Sequence, residues 1–228
     1  MAQDDEKFKI GFVLFPHLTQ LDFAGPYEVF ARVPGVQVFL TAKEKGPVIS
    51  DTGLALIAND DFQSTPQLDL ICVPGGMGTL AASADEETLA FLRFQADKAK
   101  WVTSVCTGSL ILGAAGLLNG YRAVTHWTSM DILPFVGAIP VEERVVKDRN
   151  RITGGGMTSG IDFGLYVVGE IFGTELAEII QLIMEYNPKP PFKSGHPSEA
   201  PSAIVEKVRY LGSADHQKWL DFYSTLKF

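Results

Sequence analysis

Short, almost unbroken apolar runs separated by helical patterns restrict this chain more than any other feature. "KIGFVLF" (9–15), "DLICVPG" (69–75) and "WVTSVC" (101–106) are of this kind, with "VQVFLTA" (36–42) between the first two. A strand covered on both faces has no polar side to alternate with, so such runs mark parallel strands of an α/β layout. The crossover helix that parallel strands require is supplied by "DEETLAFLRFQADKAK" (85–100), with acids in its first turn, lysines in its last, and Leu89, Phe91, Leu92 and Ala96 on its apolar face. Further on, "RVV" and "RIT" flank "KDRN" and predict a hairpin over 144–153, and "GGGMTSGIDFGLYVVGEIFG" (154–173) opens another helix after a glycine turn. The chain has 228 residues, 46% of them hydrophobic, which suits one α/β domain with a mostly parallel sheet flanked by helices. The segment "NPKPPFKSGHPSEAPSA" (187–203) is expected to lie extended over the surface before a short C-terminal helix.

Composition narrows the function. Lysine plus arginine total 19 against 27 acidic residues, a formal charge of −8 with no basic block, so a nucleic-acid partner is not expected. The start "MAQDDEKFKI" is acidic and no run of about 18 apolar residues occurs, so neither a secretory leader nor a membrane span is expected, and the protein is expected to be cytoplasmic. Cys72 and Cys106 stand outside any CxxC or Cys/His cluster, which points to no metal site and no disulfide framework.

In an open α/β sheet the ligand site lies at the carboxyl ends of the strands. Four loops converge there: "FPHLTQLDFAGP", "PGGMG", "CTG" and "GGGMTSG". A strand that runs straight into a helix turns sharply at the junction, and "SVCTGSL" places Cys106 at that turn. The helix N-terminus and its amides are expected to lower the thiol pKa and make Cys106 a nucleophile, with Thr107 and Gly108 letting nearby N–H groups meet developing charge. Cys72, inside "LICVP", is a packed core residue on this reading. Two roles fit Asp22. It can be the acid partner of the thiol, or, given the capping-box spacing from Thr19, it can cap a helix that begins near Pro26. His126 likewise fits either the base of a Cys–His pair or a hydrogen-bonded core residue beside Trp127. The glycine loops match neither GxGxxG after the first strand nor GxxxxGK[ST], so their glycines are expected to admit close backbone approach and present N–H groups to a small substrate.

Together "GFVLFPHLTQLDFAGPYEVF", "DLICVPGG", "VTSVCTGSLILGAAGLLNGYRAVTHW" and "ITGGGMTSGIDFGL" resemble the ThiJ/PfpI superfamily over about residues 8 to 195. The resemblance implies a flavodoxin-like, class I glutamine amidotransferase-like fold. It also implies that Cys106 is the elbow nucleophile and Asp22 the acidic residue that contacts it. Within that superfamily "QLDFAGP", "SVCTGSL", "GAIPVEERVV" and "ITGGGMTSGIDF" are most similar to the members that hydrate isocyanides to N-substituted formamides without a cofactor. On that likeness Asp22 delivers and recovers protons, while Thr107, Gly76, Gly155, Gly156 and Met157 bind substrate, water or developing charge. The likeness also implies a homodimer, and it leaves two other outcomes open: a ligand- or redox-sensing protein, and another superfamily enzyme such as a glyoxalase-like hydratase or a peptidase.

Overall fold

The computed structural model describes residues 7–226, so the acidic residues 1–6 of the N-terminal reading lie outside the described residues. The strands are β1 (Phe8–Val13), β2 (Val36–Ala42), β3 (Gly46–Ile49), β4 (Ala55–Ala58), β5 (Asp60–Asp61), β6 (Leu70–Val73), β7 (Trp101–Val105), β8 (Arg122–Ala123), β9 (Ile139–Pro140), β10 (Val145–Asp148) and β11 (Arg151–Gly154). The helices are α1 (Gln20–Phe30), α2 (Thr79–Ala84), α3 (Glu86–Ala96), α4 (Gly108–Ala114), α5 (Ser159–Phe172), α6 (Thr174–Ile183) and α7 (Ser202–Tyr223), with a 3-10 helix over Trp127–Val136.

Seven strands form the main sheet in the order β10-β11-β7-β6-β1-β2-β5. All neighbours are parallel except β10 and β11, which form the antiparallel hairpin expected over 144–153, with Asp148 opposite Arg151. Ile10, Phe12, Leu70, Ile71, Val102 and Ile152 are fully buried, as continuous apolar strands covered on both faces require. From β1 the chain steps one way to β2, and from β6 the other way to β7, so right-handed crossovers put α1 and α3 on opposite faces. The carboxyl ends of β1 and β6 therefore flank a topological switch point, where such folds hold their sites.

Two expectations need correction. The first helix begins at Gln20, not near Pro26, and Pro26 lies inside it. Its entry is fixed from outside: Thr19 Oγ1 donates to Asp51 Oδ2 at 2.5 Å instead of capping. The C-terminal helix is long rather than short, spanning 22 residues. Its sequence has weak helical signals, with Gly212 and Ser213 near the middle, but tertiary anchors hold it. Trp219 and Tyr223 are buried, the Tyr223 hydroxyl lies 2.6 Å from Ser83 Oγ, and His216 Nε2 lies 3.0 Å from Asp131 Oδ2. Among the described residues no helix is long and apolar enough to cross a membrane.

Candidate active site

Three loops are woven together at the switch point by main-chain contacts. Thr19 N donates to Gly75 O at 2.8 Å, Gly78 N donates to His17 O at 3.0 Å, and Leu18 bridges Gly76. The approach is too close for side chains. A Cβ on Gly78 would overlap Pro16 O, one on Gly108 would overlap Val73 O, and one on Gly75 would come within 2.5 Å of Thr107 N. Gly76 also has φ +138°, a region that L side chains rarely adopt.

At the end of β7 the chain turns at Cys106, whose φ of +56° is left-handed and costs a non-glycine residue about 1–2 kcal/mol. Four bonds hold the strained peptide. Cys106 N–H is shared between Gly154 O (3.0 Å) and Gly155 O (2.8 Å), while its carbonyl accepts from Ser109 Oγ (3.2 Å) and Thr125 Oγ1 (3.1 Å). The thiol sits at the expected junction and is only 4% exposed.

Asp22 lies in the first turn of α1 with 0% exposure. Its Oδ2 accepts the Gly75 N–H at 3.1 Å, and Oδ1 has no conventional partner. The carboxyl faces the Cys106 thiol, its interaction partner across the weave. Burial pushes the Asp22 pKa up from 3.8 to about 7, helped by the charge of Asp51 and opposed by the Cys106 and Gly75 contacts. Capping is not what this carboxylate does, since its bonds leave α1 for another loop.

The thiol corrects another expectation. Burial first, and then the negative charge of Asp22, raise the Cys106 pKa well above the ordinary thiol range, outweighing the Thr107 N–H and hydroxyl that pull it down. The helix N-terminus is present, but the site is dry and acidic, and desolvation wins. At neutral pH the pair therefore holds its proton between two poorly solvated groups, an arrangement that can move a proton over a short path. Cys72 is fully buried, its pKa pushed up to about 12 by burial, as a packed core thiol should be.

The remaining candidates separate. Gly76 spends its N–H on Thr107 Oγ1 at 3.0 Å, and Gly155 spends its own on Arg144 O at 3.0 Å, so neither offers that donor to a substrate. Thr107 touches the thiol. Gly156 and Met157 follow β11 beside the elbow, where Gly156 leaves room for His126 and the Met157 side chain is 44% exposed. His126 makes no hydrogen bond to Cys106. Its Nδ1 caps the 3-10 helix at Thr128 (2.7 Å to Oγ1) and its ring edge abuts Gly156, while burial lowers its pKa and keeps it neutral. Thr79, Thr125 and Ser109 also serve the elbow. Ser109 lies within the elbow motif "SVCTGSL", three residues after the cysteine, whereas Thr79 and Thr125 had no signal in the sequence, since single threonines at remote spacing look like any core threonine.

A parallel α/β sheet with a strained elbow cysteine facing a buried carboxyl at its switch point defines the elbow-cysteine class of flavodoxin-like proteins. Residues 8–170 match the DJ-1/PfpI family, and the chain belongs to it. Isonitrile hydratase of Pseudomonas putida is 56% identical over 201 residues, which are 88% of each chain. A THiJ/PfpI family protein from Pseudomonas syringae, known by crystal structure, superposes with a TM-score of 0.93 at 44% identity, covering 96% of this chain and 91% of that one. The HTH-type transcriptional regulator GbdR of Pseudomonas aeruginosa is 29% identical over 185 residues, which are 78% of this chain and 50% of the regulator.

Proposed function

We propose that the protein hydrates isonitriles, R–N≡C, to N-substituted formamides through a covalent adduct on Cys106. The observation that carries this reading is the Asp22–Cys106 pair, with the carboxyl pKa about 7 and the thiol well above it. The 56% identical isonitrile hydratase supports the same reading. The terminal carbon of an isonitrile is carbene-like and needs a nucleophile and a proton together. When the pair holds one proton it rests on sulfur, the weaker acid, and Asp22 takes it as sulfur attacks that carbon and delivers it to the same carbon. The product is a neutral thioimidate, R–N=CH–S–Cys106, beside an Asp22 carboxylate. Asp22 then takes a proton from water as the oxygen adds to carbon, and returns it to nitrogen. Collapse of the R–NH–CH(OH)–S adduct breaks the C–S bond, releases R–NH–CHO, and leaves the hydroxyl proton on Asp22. The pair is restored, and every product atom comes from the isonitrile or water.

The test is incubation with a simple alkyl or aryl isonitrile while formamide is followed by mass. Turnover is expected, together with a transient species whose mass is protein plus isonitrile, and both should vanish in Cys106→Ala. A protein that binds isonitriles but never turns them over would instead favour the ligand-sensing role.

We also propose that the chain works as a homodimer. Ile179, Leu182 and Ile183 of α6 are exposed, Leu182 at 81%, and a second copy would cover apolar side chains of this size. Sedimentation should give twice the 24.8 kDa chain mass, and Leu182→Asp should shift it toward the monomer if this face is the interface.

A further inference from the structure

Thr107 Oγ1 has one proton to give and two lone pairs to fill. Gly76 N–H fills one lone pair at 3.0 Å. Thr79 Oγ1, fully buried at the start of α2, lies 2.7 Å away and has no other side-chain partner. If Thr79 donates, the second lone pair is filled and the Thr107 proton is forced outward, and the acceptor it meets is the Cys106 sulfur. If Thr79 accepts instead, the sulfur loses that donor. The two hydroxyls thus form a chain with two directions, and a negative sulfur selects the one in which both protons point toward it.

We infer that Thr79 is a positioning residue that orients the Thr107 hydroxyl onto the Cys106 thiolate. It never touches the substrate and acts one hydroxyl removed from the sulfur. The inference rests on Cys106 being the reactive thiol of the proposed reaction, but not on the substrate's identity. The titratable group that acts on that thiol is Asp22, whose charge disfavours a negative sulfur as burial does. The hydroxyl chain and the Thr107 amide supply the opposing contacts.

The experiment measures the rate at which iodoacetamide alkylates Cys106 between pH 6 and 10, quantified on the Cys106 peptide so that Cys72 does not contribute. Thr79→Val and Thr79→Ala remove the hydroxyl with different packing, and Thr79→Ser keeps it. Both deletions should slow alkylation by about threefold to tenfold at pH 8 and move its midpoint upward, while Thr79→Ser follows the parent. Isonitrile turnover should fall in the same proportion. A deletion variant with the parental alkylation profile overturns the inference, as does a Thr79→Ser protein displaced as far as Thr79→Val. Because alkylation needs no isonitrile, a shifted profile in a protein without hydratase activity would uphold the relay and reject only the proposed reaction.

Discussion

Asp22 is where protonation, stability and turnover meet. Its pKa is about 7 in the folded protein against an ordinary 3.8. Below pH 4 both folded and unfolded chains carry the proton, and the buried carboxyl costs nothing extra. Between pH 4 and 7 the unfolded chain gives up its proton while the folded one retains it, so stability falls as pH rises, and the loss is complete above pH 7. Asp22→Asn removes this penalty and offers an N–H where Oδ1 has no partner. It should melt higher than the parent above pH 7, by at most roughly 4 kcal/mol of stability, with no advantage near pH 4. Its hydratase rate should nonetheless drop by about a hundredfold or more, because an amide cannot shuttle the proton. In the parent, kcat/KM should climb through pH about 7 as the pair sheds one of its two protons, and fall again only in the alkaline range where the last one leaves. At this scale the sequence made Cys106 and Asp22 visible, because both follow strands whose ends are easy to find. The direction of the thiol shift was not visible. It depends on how much water the folded loops exclude, which no local pattern encodes.

Among the elements, the crossing of the loops after β1, β6 and β7 is the least forgiving. A methyl at Gly78 or Gly108 meets carbonyl oxygens of neighbouring loops, which cannot rotate aside as a side-chain tip can. Gly78→Ala and Gly108→Ala should each destabilise by about 3 kcal/mol or more in denaturant titrations, whereas Gly195→Ala, with open space around it, should change little. β1, β6 and β7 were legible to within two residues because double-sided burial writes a continuous apolar run, whereas the short strands β3, β4, β5, β8 and β9 carry no such run and were not read. The start of α1 was not, because proline is commonest in a first turn whereas Pro26 lies inside this helix. In fact the helix is started six residues earlier by the Thr19–Asp51 bond, a contact across 32 residues.

Across the whole molecule the C-terminal helix is tied to the catalytic half. Tyr223 reaches Ser83 of α2, the same short helix that begins with Thr79. Tyr223→Phe should leave Ser83 Oγ buried without its partner and lower stability by about 1–2 kcal/mol, read as a lower melting temperature, with the Cys106 alkylation profile unchanged. Nothing in the local sequence of α7 announces this tie, since it pairs residues 140 positions apart. The loop weave carries one more consequence. An elbow whose amide is held by the main chain of β11 and whose flanking loops meet backbone to backbone has coordinates that drift in neighbouring side chains barely disturbs. Descendants of such a scaffold can explore new chemistry by exchanging what rims the elbow while inheriting the elbow intact. Laboratory selection for bulkier isonitriles therefore has its free variables at exposed positions that follow β11, such as Met157, and its constants at the glycines.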